Sequence, residues 1–101
     1  MSEPEDLDEL VRALASPHRR SILRLVWARE RGAGELAQRL DLAPASVSEH
    51  LRVLRKTGLV TVRVDGTYRW YLAQPDRVAL LLRLLAEQFP NPDDPNEGRH
   101  D

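Results

Sequence analysis

The feature that most constrains the fold is a change of hydrophobic period at Gly58. Before it, in "PASVSEHLRVLRKT" (44–57), Val47, Leu51 and Leu54 recur at helical spacing. After it, "LVTVRV" (59–64) alternates and is β-branched, "DG" (65–66) is a two-residue turn signal, and "TYRWYL" (67–72) alternates back. A helix therefore runs directly into a hairpin, with a glycine able to close the helix in the left-handed conformation. A lone two-stranded hairpin buries too little surface to be stable, so it must pack on the helices that precede it.

Those helices are legible too. Leu7, Leu10, Val11 and Leu14 set a first helix over 5–15, with acids in its opening turn. Ser16-Pro17 restarts the chain, the serine as cap and the proline at the first helical position. The second helix is expected over about 17–30, with Ile22, Leu23, Val26 and Trp27 inward, until "RGAG" (31–34) breaks it. A third helix, about 34–40, buries Leu36, Ala37 and Leu40; "DLA" (41–43) turns tightly, and Pro44 opens the fourth. Pro75 starts a fifth helix, about 75–89. The order is four helices, a hairpin and a last helix: mainly α with a small β-hairpin. The expected division is an acidic extension at 1–6, one domain at 7–89, and a disordered acidic tail at 90–101, where "PNPDDPNEGRHD" has no apolar anchor.

The 101 residues suffice for one core, and without cysteine there is no disulfide framework or thiolate site. The longest apolar run, Val78 to Leu82, is five residues, far short of a membrane span. The opening "MSEPEDLDEL" is acidic and does not read as a secretory leader, so the expected location is cytoplasmic. Charge is unevenly placed. Residues 11–90 hold 14 Lys/Arg against 7 Asp/Glu, between two acidic ends. A basic body of this kind favours a polyanionic partner.

Two short helices joined by a three-residue turn and followed by a hairpin form a winged helix-turn-helix, whose second helix enters the major groove of DNA. The small residues Pro44, Ala45, Ser46 and Ser48 let that helix end sit deep, and the serines can bond base edges. Ala45, Ser46, Ser48 and Glu49 are the candidates for base reading; the Glu49 carboxylate can accept from cytosine N4 or simply face solvent. Arg52, Arg55 and Lys56 lie further along, where the helix leaves the groove and meets phosphate. Arg63 and Arg69 flank the expected hairpin turn and would serve as wing contacts.

The segments "LASPHRRSILRLV" (14–26), "GELAQRLDLAPASVSEHLRVLRKTGLV" (34–60) and "VDGTYRWYLA" (64–73) together resemble the ArsR/SmtB family of bacterial winged-helix repressors, over residues 7–88. The resemblance implies a homodimer through the first and last helices, involving Leu7, Leu10, Val78, Leu81, Leu82 and Leu85. It also implies an inverted-repeat operator, and makes His50 a structural or phosphate-contacting residue. Three positions depart from the family pattern. Asp41 stands where glycine is common, Ala43 replaces a capping Ser or Thr at a cost of about 1 kcal/mol, and Glu49 is acidic.

Many family members sense metals. Here the third helix reads "GELAQRL" without the cysteine pair, and "DRVALLLRLLAEQ" offers only Asp76 and Glu87 without histidine. Thiophilic ions do not suit this chain. His18, His100 and Asp101, with the acidic ends, are the remaining candidates for nickel, cobalt or zinc. Without a metal, the signal would come through a small molecule, a separate sensor or co-repressor protein, or the protein's own abundance. No phosphate loop or Ser/His/Asp set points to an enzyme. The rival of another class is a winged helix used as a protein-interaction module.

Overall fold

The computed structural model describes residues 5–93. The elements are α1 (Glu5–Leu14), α2 (Pro17–Leu25), α3 (Ala33–Leu40), α4 (Pro44–Lys56), β1 (Val60–Asp65), β2 (Tyr68–Ala73) and α5 (Pro75–Gln88). The expected order holds, and the architecture is that of a winged helix-turn-helix. Residues 1–4 of the expected acidic extension and most of the 90–101 tail, including His100 and Asp101, lie outside the described residues.

At the α1–α2 junction the Arg19 N–H donates to Ser16 Oγ at 3.2 Å, the cap that Ser16-Pro17 foretells. The arginines that follow satisfy the end of α1, whose last carbonyls have no helical partner. Arg19 Nε donates to the Ala13 carbonyl and Arg20 Nη1 to that of Leu14, each at 2.7 Å. Arg31 does the same for α2, its Nε 2.6 Å from the Leu25 carbonyl.

α2 stops at Leu25, short of the expected 30. Backbone pairing elsewhere takes the chain out of the helix. Arg31 exchanges two hydrogen bonds with Tyr71, at 3.1 and 2.9 Å, and the Val26 carbonyl accepts from the Ala73 N–H at 2.9 Å. The segment thus lies beside β2 as a rudimentary third strand and supports that edge of the hairpin. Trp27 consequently leaves the inward face expected of it and is 43% exposed.

Asp41 takes the left-handed conformation, φ 55° and ψ 48°, and makes the turn between α3 and α4 without glycine. Ala43 provides no side-chain cap. Gly58, at φ 79°, ends α4 as expected. Arg77 Nε reaches the Thr57 carbonyl at 3.2 Å and ties α5 to the end of α4.

The hairpin turn is displaced by one residue. Asp65 pairs with Tyr68, so the loop is Gly66-Thr67 rather than Asp65-Gly66, with positive φ at Gly66 alone. That is the type II′ arrangement, which asks for glycine first. The displacement sets Val60 opposite Ala73 and Val62 opposite Tyr71. It moves the pairing by an even number of residues, so no side chain changes face.

Ile22, Leu36, Val47, Leu51, Leu54 and Leu59 have at most 2% of their surface exposed and form one core with Leu10, Val26 and Val60. α5 contributes one buried residue, Leu81.

Candidate nucleic-acid interface

Val47, Leu51 and Leu54 fix one side of α4 in the core, which decides what the other side presents. Ala45, Ser46, Ser48, Glu49, Arg52, Arg55 and Lys56 are all exposed. Small residues occupy the beginning of the outer surface and cations its end.

His50 lies apart from this row. It is half-buried toward α2, its Nδ1 3.4 Å from Arg19 Nη1 and its ring centroid 5.8 Å from that of His18. Arginine can only donate, so a hydrogen bond between them makes Nδ1 the acceptor. Burial, then the charge of Arg19, then His18, hold the His50 pKa below its ordinary value, against a smaller opposing pull from Glu49.

Glu49 neither faces solvent alone nor stands free. Arg52 lies along it, Nη2 to Oε2 at 2.6 Å and Nε to Oε1 at 3.2 Å. Those bonds hold the Glu49 carboxyl below the usual carboxylate range. The wing repeats the arrangement. Arg63 grips Glu30 through Nη2 at 2.8 Å and Nε at 3.0 Å, with Asp65 at 3.9 Å. Glu30 escaped the sequence reading, since nothing local joins residues 33 positions apart.

Arg63 and Arg69 do not act as a pair. Arg63 stands opposite Trp70 and Arg69 opposite Val64, so the two arginines are on different faces of the hairpin. Tyr68, 68% exposed, stacks on Trp70 with centroids 6.1 Å apart on the Arg63 face.

The basic body thus divides by role. Arg19, Arg20, Arg31 and Arg77 hold backbone carbonyls at helix ends. Among the described residues, Arg12, Arg55, Lys56 and Arg69 make no hydrogen bond or ion pair through their side chains. Net charge alone could not separate these two sets.

Among the described residues there is no cluster of three or more His, Cys, Asp or Glu able to hold an ion. His18 and His50 approach each other, but the guanidinium of Arg19 occupies the Nδ1 side of His50 and opposes a second cation. Nor is any helix long and apolar enough to cross a membrane, among the described residues.

The proposed dimer residues fall into two groups. Leu7, Leu10 and Leu81 are already buried in the protomer's own core, Leu10 completely. Leu82 is 61% exposed, while Val78 and Leu85 are half-buried.

Comparison with known proteins agrees with this architecture. A helix-turn-helix domain family matches residues 14–63. The transcriptional activator HlyU of Vibrio cholerae is 34% identical over 76 residues, which is 75% of this chain and 70% of that protein. The biofilm growth-associated repressor of Agrobacterium fabrum is 31% identical over 85 residues, 84% of this chain and 73% of its own. The structure of an ArsR-like transcriptional regulator from Rhodococcus sp. RHA1 superposes with a TM-score of 0.75 at 26% identity, covering 82% of this chain and 78% of that one. The chain belongs to the ArsR family of winged helix-turn-helix transcriptional regulators, DNA-binding proteins rather than enzymes.

Proposed function

We propose that this regulator is a cytoplasmic homodimeric repressor of an inverted-repeat operator with half-sites about one helical turn apart. α4 lies in the major groove. Ala45, Ser46, Ser48 and Glu49 read bases, Arg52, Arg55 and Lys56 hold phosphate, and Arg63 and Arg69 extend the footprint through the wing. The observation that carries this reading is the outer surface of α4, exposed along its length with small residues first and cations last, on a helix whose other side is locked in the core. Dimerisation through α1 and α5 draws support from Val11, Leu82 and Phe89, apolar and exposed on those helices or at their end. Related proteins bear the names of an activator and of a repressor. The repressor reading follows from a dimer that covers an operator.

The test is fluorescence anisotropy on the DNA upstream of the gene, at fixed salt, with chelator and then with nickel, zinc or cobalt. The expected result is saturable binding that a scrambled duplex does not match. Arg52→Ala should weaken all sequences alike and make the salt slope shallower by about one per protomer. Equal, salt-independent binding to both duplexes would refute the reading. A change on adding metal would return attention to His18 and the acidic ends.

A further inference from the structure

Beside the outer surface of α4 lies a pocket of 260 Å³, walled by α4 on one side and by α1 and the start of α2 on the other. Four cations line it, Arg12, Arg19, Arg52 and Lys56, against one lining carboxylate, Glu9, with Arg52 also held by Glu49 from outside the pocket. Arg19 is already oriented. Its Nε holds the Ala13 carbonyl at 2.7 Å, its Nη2 the Arg12 carbonyl at 3.2 Å, and its Nη1 points to His50. A guanidinium has five N–H donors, so three anchors leave two for a ligand. Arg12 and Lys56 have no side-chain partner among the described residues. The Thr57 hydroxyl donates back into α4, to the Val53 carbonyl at 2.9 Å, and is not offered to the pocket. Like charges gathered round a concavity raise its potential and its affinity for anions.

We propose that this pocket binds a phosphate-type oxyanion, and that its occupancy is coupled to DNA binding because Arg52 and Lys56 belong to both sites. The coupling rests on the DNA reading above; the pocket itself does not. The volume is below the range of drug-sized ligand sites, which suits a small anion or a single backbone phosphate. That chemistry has two sources. A phosphodiester of the bound duplex would make Arg12 and Arg19 part of the DNA footprint. A free phosphate-bearing molecule would instead draw Arg52 and Lys56 from the backbone and release the DNA.

Inorganic phosphate, titrated at constant ionic strength into the full chain, tests the site through the arginine Nε–H resonances. Anisotropy of a random-sequence duplex is measured in parallel on the unaltered protein, Arg12→Ala and Glu9→Gln. Both exchanged side chains are exposed, and Arg12→Ala retains the backbone carbonyl that Arg19 uses. Saturable shifts at Arg19, weakened about fivefold or more by Arg12→Ala and strengthened by Glu9→Gln, are expected. Loss of duplex affinity on adding phosphate, beyond a chloride control of equal ionic strength, identifies the free anion as occupant. Loss of duplex affinity in Arg12→Ala without such competition, with a salt slope shallower by about one per protomer, identifies the backbone phosphate. Shifts that never saturate, together with unchanged duplex binding in Arg12→Ala, would mean an adventitious ion only and overturn the proposal while leaving the DNA reading intact. Saturable phosphate binding by a protein that binds no duplex would keep the pocket and overturn the DNA reading.

Discussion

On α4, Arg52 lies across Glu49 one turn away; on the wing, Arg63 lies across Glu30, 33 residues earlier in the chain. The two clamps have similar geometry and different origins. The first forms wherever the helix forms, because residues three apart share a helical face. The second exists only after the strand-like segment ending at Arg31 has paired with β2 and β2 with β1. A phosphate that takes the carboxylate's place on either arginine exchanges one anion for another. On the helix that exchange is local, whereas on the wing it also releases a tie between distant parts of the chain.

Both regions stand on the same core. Leu54, completely buried under α4, joins the same core as Val60 at the base of the wing. Leu54→Ala should lower stability by roughly 2–5 kcal/mol in urea titration. A smaller loss would mean that the core can collapse around the deleted atoms.

Gly58 joins the two regions. Its φ of 79° is strained for other residues, and a Cβ there would stand 3.0 Å from Arg77 Nε. Gly58→Ala should cost about 1–2 kcal/mol, measured in the same titration. It should also loosen the hairpin relative to α4. An unchanged midpoint would show that backbone and arginine adjust freely.

The clamps themselves are compared by Glu49→Gln and Glu30→Gln. Each should raise affinity for random duplex, because the arginine no longer has to give up a carboxylate to engage phosphate. Only Glu30→Gln should also speed hydrogen exchange at the Arg31 and Tyr71 amides. Equal exchange in the two variants would contradict the tertiary role assigned to the wing clamp.

The smallest effect concerns pH. With His50 held below its ordinary value in the folded protein, the unfolded chain binds the proton first as pH falls. Stability should therefore decline below about pH 6.5. His50→Gln should flatten the dependence of Tm on pH in that window. Hairpin amides, remote from the α2–α4 contact, should not respond; if they do, the histidine acts beyond its own helix pair.

Much of the candidate site was legible because it is helical. A period of 3.6 residues, with Val47, Leu51 and Leu54 inward, leaves little choice about where Ser48 and Arg52 go. Glu30 was illegible for the opposite reason: its partner is set by strand pairing, which sequence spacing does not encode. The roles of the arginines were hidden similarly. Arg19 and Arg55 look alike in a charge count, yet one is tied to carbonyls of the preceding helix and the other makes no side-chain tie among the described residues.

By itself the sequence determined the order of elements, the starts of α2, α4 and α5 at their prolines, the end of α4 at Gly58, and the outward face of α4. These are local matters of backbone preference and hydrophobic period. Tertiary structure alone decided that α2 ends at Leu25, that Trp27 turns outward, that Gly66-Thr67 makes the turn, and that Glu30 holds Arg63. Each of these depends on hydrogen bonds or ion pairs between segments that meet only when the chain has folded.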